Sequence, residues 1–153
     1  MDCSRTDCYF GSMVVTKQKL LLVDDSKEDR FLIKQALADS GFDCEVEEAC
    51  DGEQAEMVLA KSICDDTLPH FVILDLILPK RTGMEVLEKL SVHGISQRTR
   101  IIVLSSVLPE AKSARLRELG VWQVFEKPID LDEFLALGRR VKELTTAEFK
   151  GLN

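Results

Sequence analysis

Several features are scarce or missing in this chain, and each absence excludes a class of protein. Only two residues are histidines, and the five cysteines form no C-x-x-C pair, so the spacing of a zinc site is absent. No apolar run approaches the roughly 18 residues of a membrane span, and no secretory signal opens the chain. The net charge of −7 argues against nucleic acid as a partner, because phosphate-backbone binding needs a basic surface. We therefore expect a cytoplasmic protein with neither a nucleic-acid nor a membrane partner.

The rest of the composition is that of an ordinary globular domain. Of the 153 residues, 45% are hydrophobic and 31% are charged. A chain of this length can bury roughly 70% of its unfolded surface, so one domain without disulfides is expected. We place that domain at residues 18–145. Residues 1–17 lack periodicity and are predicted to be a flexible N-terminal extension, in which Met13 is an alternative start, and residues 146–153 are predicted to be a C-terminal tail.

Strand-like and helix-like segments alternate five times along the predicted domain. The predicted strands lie near 19–24, 44–48, 70–75, 100–104 and 121–126, and the helices follow Ser26, span 52–62 and 84–91, run from Pro109 to Gly120, and begin at Asp130. Wholly apolar strands are typical of a parallel sheet that is covered on both faces, whereas residues 44–48 alternate and indicate an edge strand. Right-handed crossovers then give a doubly wound α/β sandwich of three layers, with the five strands in the flavodoxin-like order 2-1-3-4-5.

Two helix starts and one glycine carry local predictions. Ser26 with Asp29, and Asp130 with Glu133, have the spacing of a capping box, in which each side chain satisfies the other residue's backbone amide. Gly138 falls inside the last helix. Because glycine costs up to about 1 kcal/mol relative to alanine there, we interpret it as a local weakness.

Carboxylates follow two of the buried strands at the points where these strands end. Asp24 and Asp25 come directly after the first strand, and Asp75 ends the third. The order 2-1-3-4-5 makes these two strands neighbours, and ligands of such sheets gather at the carboxyl ends of the strands. Three like charges in one crevice repel one another unless a cation lies between them, and oxygen ligands suit Mg²⁺. The sequence therefore predicts a magnesium site.

Four short segments together resemble a known family. They are Val23-Asp24-Asp25-Ser26, Leu74-Asp75-Leu76-Ile77-Leu78-Pro79 with Gly83, Val103-Leu104-Ser105-Ser106, and Glu126-Lys127-Pro128. In this order and spacing they resemble the receiver domain of two-component response regulators, over about residues 18–145. Three segments resemble most the small stand-alone regulators that are paired with phytochrome-type histidine kinases. They are residues 61–69, the loop Leu78-Pro79-Lys80, and the stretch from Lys127 to Phe134.

The resemblance implies a function and a set of roles. Asp75 would be the phosphoacceptor of a phosphorelay, and Asp24, Asp25, Asp75 and the backbone carbonyl of Ile77 would hold Mg²⁺. The phosphoryl donor would be a sensor histidine kinase or a histidine phosphotransfer protein. The domain would not be an ordinary enzyme, although it would assist its own phosphorylation and dephosphorylation.

The resemblance also implies a switch. Lys127 would pair with Asp75 at rest and with the phosphoryl group afterwards, and Ser105 would donate a hydrogen bond to that group. Ser106, beside it, is the second hydroxyl at this strand end, with a solvated residue as its simplest interpretation. The peptide bond between Lys127 and Pro128 is expected to be cis, as is usual in the family.

The chain departs from the family pattern at four positions, and one of them is Ser105, a serine in place of threonine that keeps the hydroxyl donor. Val124 stands where the family often has a switching tyrosine or phenylalanine, so the output must travel through loop and helix shifts or another aromatic. Ile77 and Val107 stand where the family admits or excludes the hydrolytic water. Because apolar side chains cannot orient that water, we hypothesise slow loss of the phosphoryl group. The fourth helix, fifth strand and fifth helix form the expected surface for an effector or a homodimer.

Other functions remain open at this point. A phosphatase with an aspartyl-phosphate intermediate needs a second aspartate two residues after the first, and here that residue is Ile77. A flavin-binding module needs a phosphate cradle after the first strand, where Asp24 and Asp25 would repel a phosphate. A receiver-like docking scaffold that is not regulated by phosphorylation is the third alternative, and the intact set of Asp75, Ser105 and Lys127 argues against it.

Overall fold

The computed structural model describes residues 9–10, 13–14, 17–106 and 110–151. Two short strands, β1 (Tyr9–Phe10) and β2 (Met13–Val14), pair antiparallel. The other strands are β3 (Gln18–Val23), β4 (Cys44–Ala49), β5 (Phe71–Asp75), β6 (Arg100–Ser105) and β7 (Gln123–Glu126). The helices are α1 (Lys27–Asp39), α2 (Gly52–Asp65), α3 (Gly83–Val92), α4 (Glu110–Glu118) and α5 (Leu131–Gly151), with a 3₁₀ turn at Ile95–Gln97.

Five parallel strands form the main sheet in the order β4-β3-β5-β6-β7. This is the predicted order 2-1-3-4-5, and β4 lies at the edge as its alternating sequence indicated. The register sets Val23 beside Leu74, Asp75 beside Leu104, and Ser105 beside Glu126. The carboxyl ends of β3, β5, β6 and β7 therefore meet along one edge of the sheet.

The helices cover both faces of this sheet, and each face has its own apolar layer. Alternate strand residues supply the two layers, as Leu21 and Leu20 do in β3. Residues of α2, α3 and α4 pack on the first layer, and residues of α1 and α5 pack on the second. The three-layer α/β sandwich predicted from the sequence is confirmed.

The predicted capping boxes are only half right. The Ser26 side chain accepts the Asp29 amide at 3.1 Å, but the Ser26 amide donates to Asp24 Oδ1 at 2.8 Å and not to the Asp29 carboxylate. At α5, Asp130 accepts the Glu133 amide at 2.9 Å, while the Glu133 carboxylate accepts the amide of Ile129, one residue before the expected partner. In the first case the Asp24 carboxylate, at the end of β3, accepts the Ser26 amide in place of the Asp29 carboxylate.

Gly138 has a packing role that its helical propensity hides. A Cβ atom at this position would lie 2.4 Å from the carbonyl oxygen of Ala36 and 2.9 Å from the Ala36 Cβ. Since a backbone atom cannot give way, only glycine lets α5 approach α1 this closely. The interpretation of Gly138 as a mere weakness is therefore wrong.

The limits of the predicted domain are partly visible. Helix α5 runs on to Gly151, across the predicted start of the tail at residue 146. The β1–β2 pair lies within the predicted extension at 1–17, and the other residues of 1–16, together with Val107 and Pro109, lie outside the described residues. The flexibility of that extension stays a prediction. In the part of the chain that the structure describes, no helix has the length and apolarity to cross a membrane.

Candidate functional site

The strand ends bring the three predicted carboxylates together. Because Val23 pairs with Leu74, the residues that follow them, Asp24 and Asp75, lie side by side. One carboxylate oxygen from each of Asp24, Asp25 and Asp75 lies within 4.8 Å of the other two. Asp24 and Asp75 are buried and Asp25 is exposed, so the cluster forms a pocket that opens to solvent on the Asp25 side.

Asp24 is a buried carboxylate that is held by its neighbours. Its Oδ1 accepts the Ser26 amide, and its backbone carbonyl accepts Arg30 Nη1 at 2.6 Å. Burial raises the pKa of Asp24, although the Ser26 amide and Lys127 act in the opposite direction. Its Oδ2 lies 2.9 Å from Lys127 Nζ, but the approach is not aligned as a hydrogen bond, so this buried oxygen has no hydrogen-bond partner.

Both oxygens of Asp75 are fixed. Oδ1 accepts the backbone amide of Ile77 at 2.9 Å, and Oδ2 accepts Lys127 Nζ at 2.6 Å. The loop after β5 closes tightly on the strand, because a Cβ at Gly83 would lie 2.6 Å from the Asp75 carbonyl oxygen. The Ile77 side chain, in contrast, points away from the core and is 66% exposed.

Lys127 connects the carboxylates. Its Nζ lies 2.6 Å from Asp75 Oδ2, 2.9 Å from Asp24 Oδ2 and 3.1 Å from Asp29 Oδ2. Burial by itself would lower the pKa of Lys127, but the hydrogen bond to Asp75 and the ion pair with Asp24 outweigh it and hold the pKa above its usual value. The side chain is therefore a permanent ammonium ion in this setting.

The peptide bond between Lys127 and Pro128 is trans, so the expected cis bond is not found. Trans is the more stable isomer of such bonds by about 0.5–1 kcal/mol. With the trans bond, the Lys127 amide still donates to the Ser105 carbonyl at 3.0 Å while Nζ reaches Asp75. The observed geometry of the site thus does not require the cis form.

The two serines at the end of β6 differ in burial. Ser105 is buried, and its carbonyl accepts the Lys127 amide, so it lies at the same sheet edge as Asp75. Ser106 is exposed, in keeping with a solvated residue. Val124 is half-buried in β7, and the aromatic rings on either side, Trp122 and Phe125, pack against the apolar layer beneath α1 and α5.

Asp29 is a further residue of this site that the sequence pattern does not predict. It was assigned only a capping role, yet its carboxylate reaches Lys127 across the sheet edge. The available signal was its position in the first turn of the helix that begins directly after Asp24 and Asp25, at the carboxyl end of β3. The direction in which α1 leaves the sheet decides this contact, and the sequence does not specify that direction.

The residues present fit a hard divalent cation. Three carboxylate oxygens lie close enough to share one ion, and the buried Asp24 Oδ2 is held only by its ion pair with Lys127. Oxygen donors of this kind suit Mg²⁺ better than softer metals.

The family model of the response regulator receiver domain matches residues 20–138. The chain belongs to this family. As a receiver domain it is a member of two-component signalling systems, whose receivers are phosphoacceptors and not conventional enzymes. The resemblance predicted from the four sequence segments is confirmed.

Known receiver proteins are similar to it over most of their length. A probable chemotaxis protein CheY of Rhizobium etli is 28% identical over 123 residues, which are 80% of this chain and 91% of that protein. The phosphorylated cyanobacterial phytochrome response regulator RcpA has a TM-score of 0.75 at 30% identity, covering 84% of this chain and 93% of that one. The Mn²⁺-bound response regulator Rcp1 has a TM-score of 0.70 at 28% identity, covering 82% and 91%.

Proposed function

We propose that this receiver domain accepts a phosphoryl group on Asp75, with Mg²⁺ bound beside it, from a sensor histidine kinase or a histidine phosphotransfer protein. The observation that carries the proposal is the position of Asp75 Oδ2, which is 2.6 Å from Lys127 Nζ and within the cluster formed with Asp24 and Asp25. A nucleophile, a cation for the transferred group and a metal-ligand set therefore meet at one point.

The chemistry of transfer follows from these groups. Asp24, Asp25, Asp75 and the Ile77 carbonyl would hold Mg²⁺, which supplies positive charge for the phosphoryl oxygens. The Asp75 carboxylate attacks phosphorus, the new P–O bond forms, and the P–N bond to the donor histidine breaks. The Ile77 amide, which donates to Asp75 Oδ1, restricts rotation of the carboxylate during this step.

The same contacts support a switch. A phosphoryl group carries about −1.5 to −2 charges in place of the single charge of Asp75. Lys127, held as an ammonium, then moves from the carboxylate oxygen to a phosphoryl oxygen, and the Ser105 hydroxyl donates a second hydrogen bond. Since the Lys127 amide bonds the Ser105 carbonyl, movement of either residue displaces the ends of both β6 and β7.

For the output we propose the face formed by α4, β7 and α5, used by an effector or a second copy of the chain. β7 is an edge strand of the sheet, and Arg139 and Arg140 on α5 are exposed. Because Val124 carries no ring, the signal reaches this face through displacement of β7 and not through a ring flip at that position. Sedimentation of the protein before and after phosphorylation tests the dimer, and an unchanged mass leaves an effector as the occupant.

The central test is intact-mass measurement after incubation with acetyl phosphate. With Mg²⁺ the wild-type protein should gain one phosphoryl group, and without Mg²⁺ the gain should be much slower. Asp75→Asn should abolish the gain, whereas Asp39→Asn, at the exposed end of α1, should leave it unchanged. Absence of any gain in the wild-type protein would reject the phosphoacceptor function and favour a docking scaffold.

A further inference from the structure

Asp29 occupies a defined place beside the site. It lies in the first turn of α1, where its amide donates to Ser26 Oγ at 3.1 Å. Its Oδ2 lies 3.1 Å from Lys127 Nζ, and the two side chains are only 28% and 14% exposed. The contact therefore joins a helix that is anchored at its start to the lysine at the end of β7.

The other two carboxylates that pair with Lys127, Asp75 and Asp24, have further roles in the site. Asp75 is the nucleophile of the proposed function, and Asp24 belongs with Asp25 and Asp75 to the group that can hold a metal ion. Asp29 belongs to neither. Three carboxylate oxygens lie within 3.1 Å of Nζ, which equals the number of N–H donors of an ammonium group.

We propose that Asp29 is a positioning residue that shares Lys127 with Asp75 and so opposes phosphorylation; this inference rests on the proposed function. While Asp29 neutralises part of the lysine charge, less of that charge is available to the incoming phosphoryl group. The Asp29 carboxylate also adds a negative charge close to the point that a negatively charged donor must reach.

The same contact has an opposite effect on the metal. Because Asp29 also pairs with Lys127, the ion pairs of Lys127 with Asp24 and Asp75 are easier to release. The oxygens of Asp24 and Asp75 are then available to bind a cation. The negative charge of Asp29 also attracts the cation. Loss of this charge should therefore weaken Mg²⁺ binding and accelerate phosphorylation at saturating Mg²⁺. These two changes have opposite signs, whereas a general distortion of the site would impair both properties.

The test compares three variants with the wild-type protein. Asp29→Asn removes the charge and keeps the shape, and Asp29→Glu restores the charge. Glu28→Gln removes a charge from the same helical turn at an exposed position, where the Glu28 carboxylate accepts Ser26 Oγ at 3.5 Å. Calorimetric titration with Mg²⁺ gives the dissociation constant, and intact mass against time gives the phosphorylation rate with acetyl phosphate at saturating Mg²⁺.

For Asp29→Asn we expect a phosphorylation rate higher by about two- to fivefold and a Mg²⁺ dissociation constant higher by a similar factor, as suits a partly exposed ion pair. Asp29→Glu should return both values toward the wild type, and Glu28→Gln should change neither. An equal or lower rate in Asp29→Asn, or equal effects in Glu28→Gln, would overturn the inference. If the wild-type protein gains no phosphoryl group, the proposed function fails, and unchanged Mg²⁺ affinity in Asp29→Asn would then reject the role of Asp29 separately.

Discussion

At the scale of single residues, identical side chains behave differently because their surroundings differ. Asp24 and Asp51 are both buried, yet burial raises the pKa of Asp24, while the Gln54 amide and Lys80 hold the pKa of Asp51 below its usual value. Asp51 is the N-cap of α2, where the helix supplies an amide for its charge. Asp24 is removed from water by burial, and Asp75 adds a smaller repulsion, so its charge costs stability.

This contrast predicts that the same change, aspartate to asparagine, has opposite effects on the free energy of unfolding at Asp24 and at Asp51. Because the folded-state pKa of Asp24 is raised above 3.8, the folded protein binds the proton more tightly, and stability falls as the pH rises above that value. In the absence of divalent ions, Asp24→Asn should therefore raise the free energy of unfolding at pH 7, by about 1 kcal/mol. The gain should shrink as the pH falls, because the wild-type carboxyl group then takes up its proton in the folded protein.

Asp51→Asn is the matched control, and it should lower stability at pH 7. Since the folded-state pKa of Asp51 is depressed, the contribution of its charge is present above the unfolded pKa and is lost as the pH falls. Urea denaturation at pH 7 and pH 4 measures both variants. A destabilised Asp24→Asn at pH 7 would show that the ion pair with Lys127 outweighs the cost of burial.

A second residue-scale prediction concerns the lifetime of the phosphoryl group. Ile77 is exposed next to Asp75 and offers no hydrogen bond to a hydrolytic water, so loss of the group should be slow. Ile77→Asn should shorten the half-time several-fold, because an amide can orient that water. Intact mass against time after removal of acetyl phosphate gives the half-time.

Ile129→Asn is the control for this change, since Ile129 is also an exposed isoleucine, two residues after Lys127. It should leave the half-time unchanged. A half-time of a few seconds in the wild-type protein would contradict the hypothesis. Val107, the other apolar residue at a water-controlling position, lies outside the described residues and enters this argument only through the sequence.

At the scale of elements, the sequence specified the type and order of the helices and strands better than the contacts at their ends. Apolar runs and capping residues located α1 and β5 to within one or two residues, because these signals are local. The Ser26 amide was assigned to Asp29 but bonds Asp24, and Asp29 bonds Lys127, because residues distant in sequence compete for the same groups. Such competition depends on how elements are placed, which no local pattern contains.

Gly138 gives a measurable case in which a contact between two helices outweighs a local sequence signal. Helix propensity alone predicts that Gly138→Ala stabilises the protein by up to about 1 kcal/mol. The structure predicts the opposite sign, because the new Cβ would lie 2.4 Å from the Ala36 carbonyl oxygen and would force α5 away from α1. We expect a loss of about 1–3 kcal/mol in the free energy of unfolding, as for other overpacked contacts.

Ala136→Gly, at an exposed position of the same helix, is the control and should cost no more than about 1 kcal/mol. Chemical denaturation of the two variants and the wild type under one set of conditions gives the comparison. A Gly138→Ala protein more stable than the wild type would mean that α1 and α5 are not in close contact at this point.

At the scale of the whole molecule, the fold brings together charged side chains that are distant in the sequence. Asp25 and Asp75 are separated by a helix, an edge strand and a second helix, and only the parallel sheet makes their oxygens neighbours. The sequence allowed this site to be predicted because strand order and strand ends suffice to place it. We therefore expect a bound cation to add to the stability that Lys127 gives to this cluster.

Mg²⁺ should accordingly stabilise the folded protein. An ion that binds only the folded state adds about 2.7 kcal/mol at one hundred times its dissociation constant, which raises the midpoint of thermal unfolding by several degrees. Chelation with EDTA should reverse the rise, and sodium chloride at equal ionic strength should not reproduce it. Asp25→Asn, which changes the exposed carboxylate of the cluster, should remove most of the rise, whereas Asp39→Asn should retain it. An equal rise in Asp25→Asn would mean that the ion acts elsewhere or by screening alone, because the cluster would then have lost a ligand without consequence.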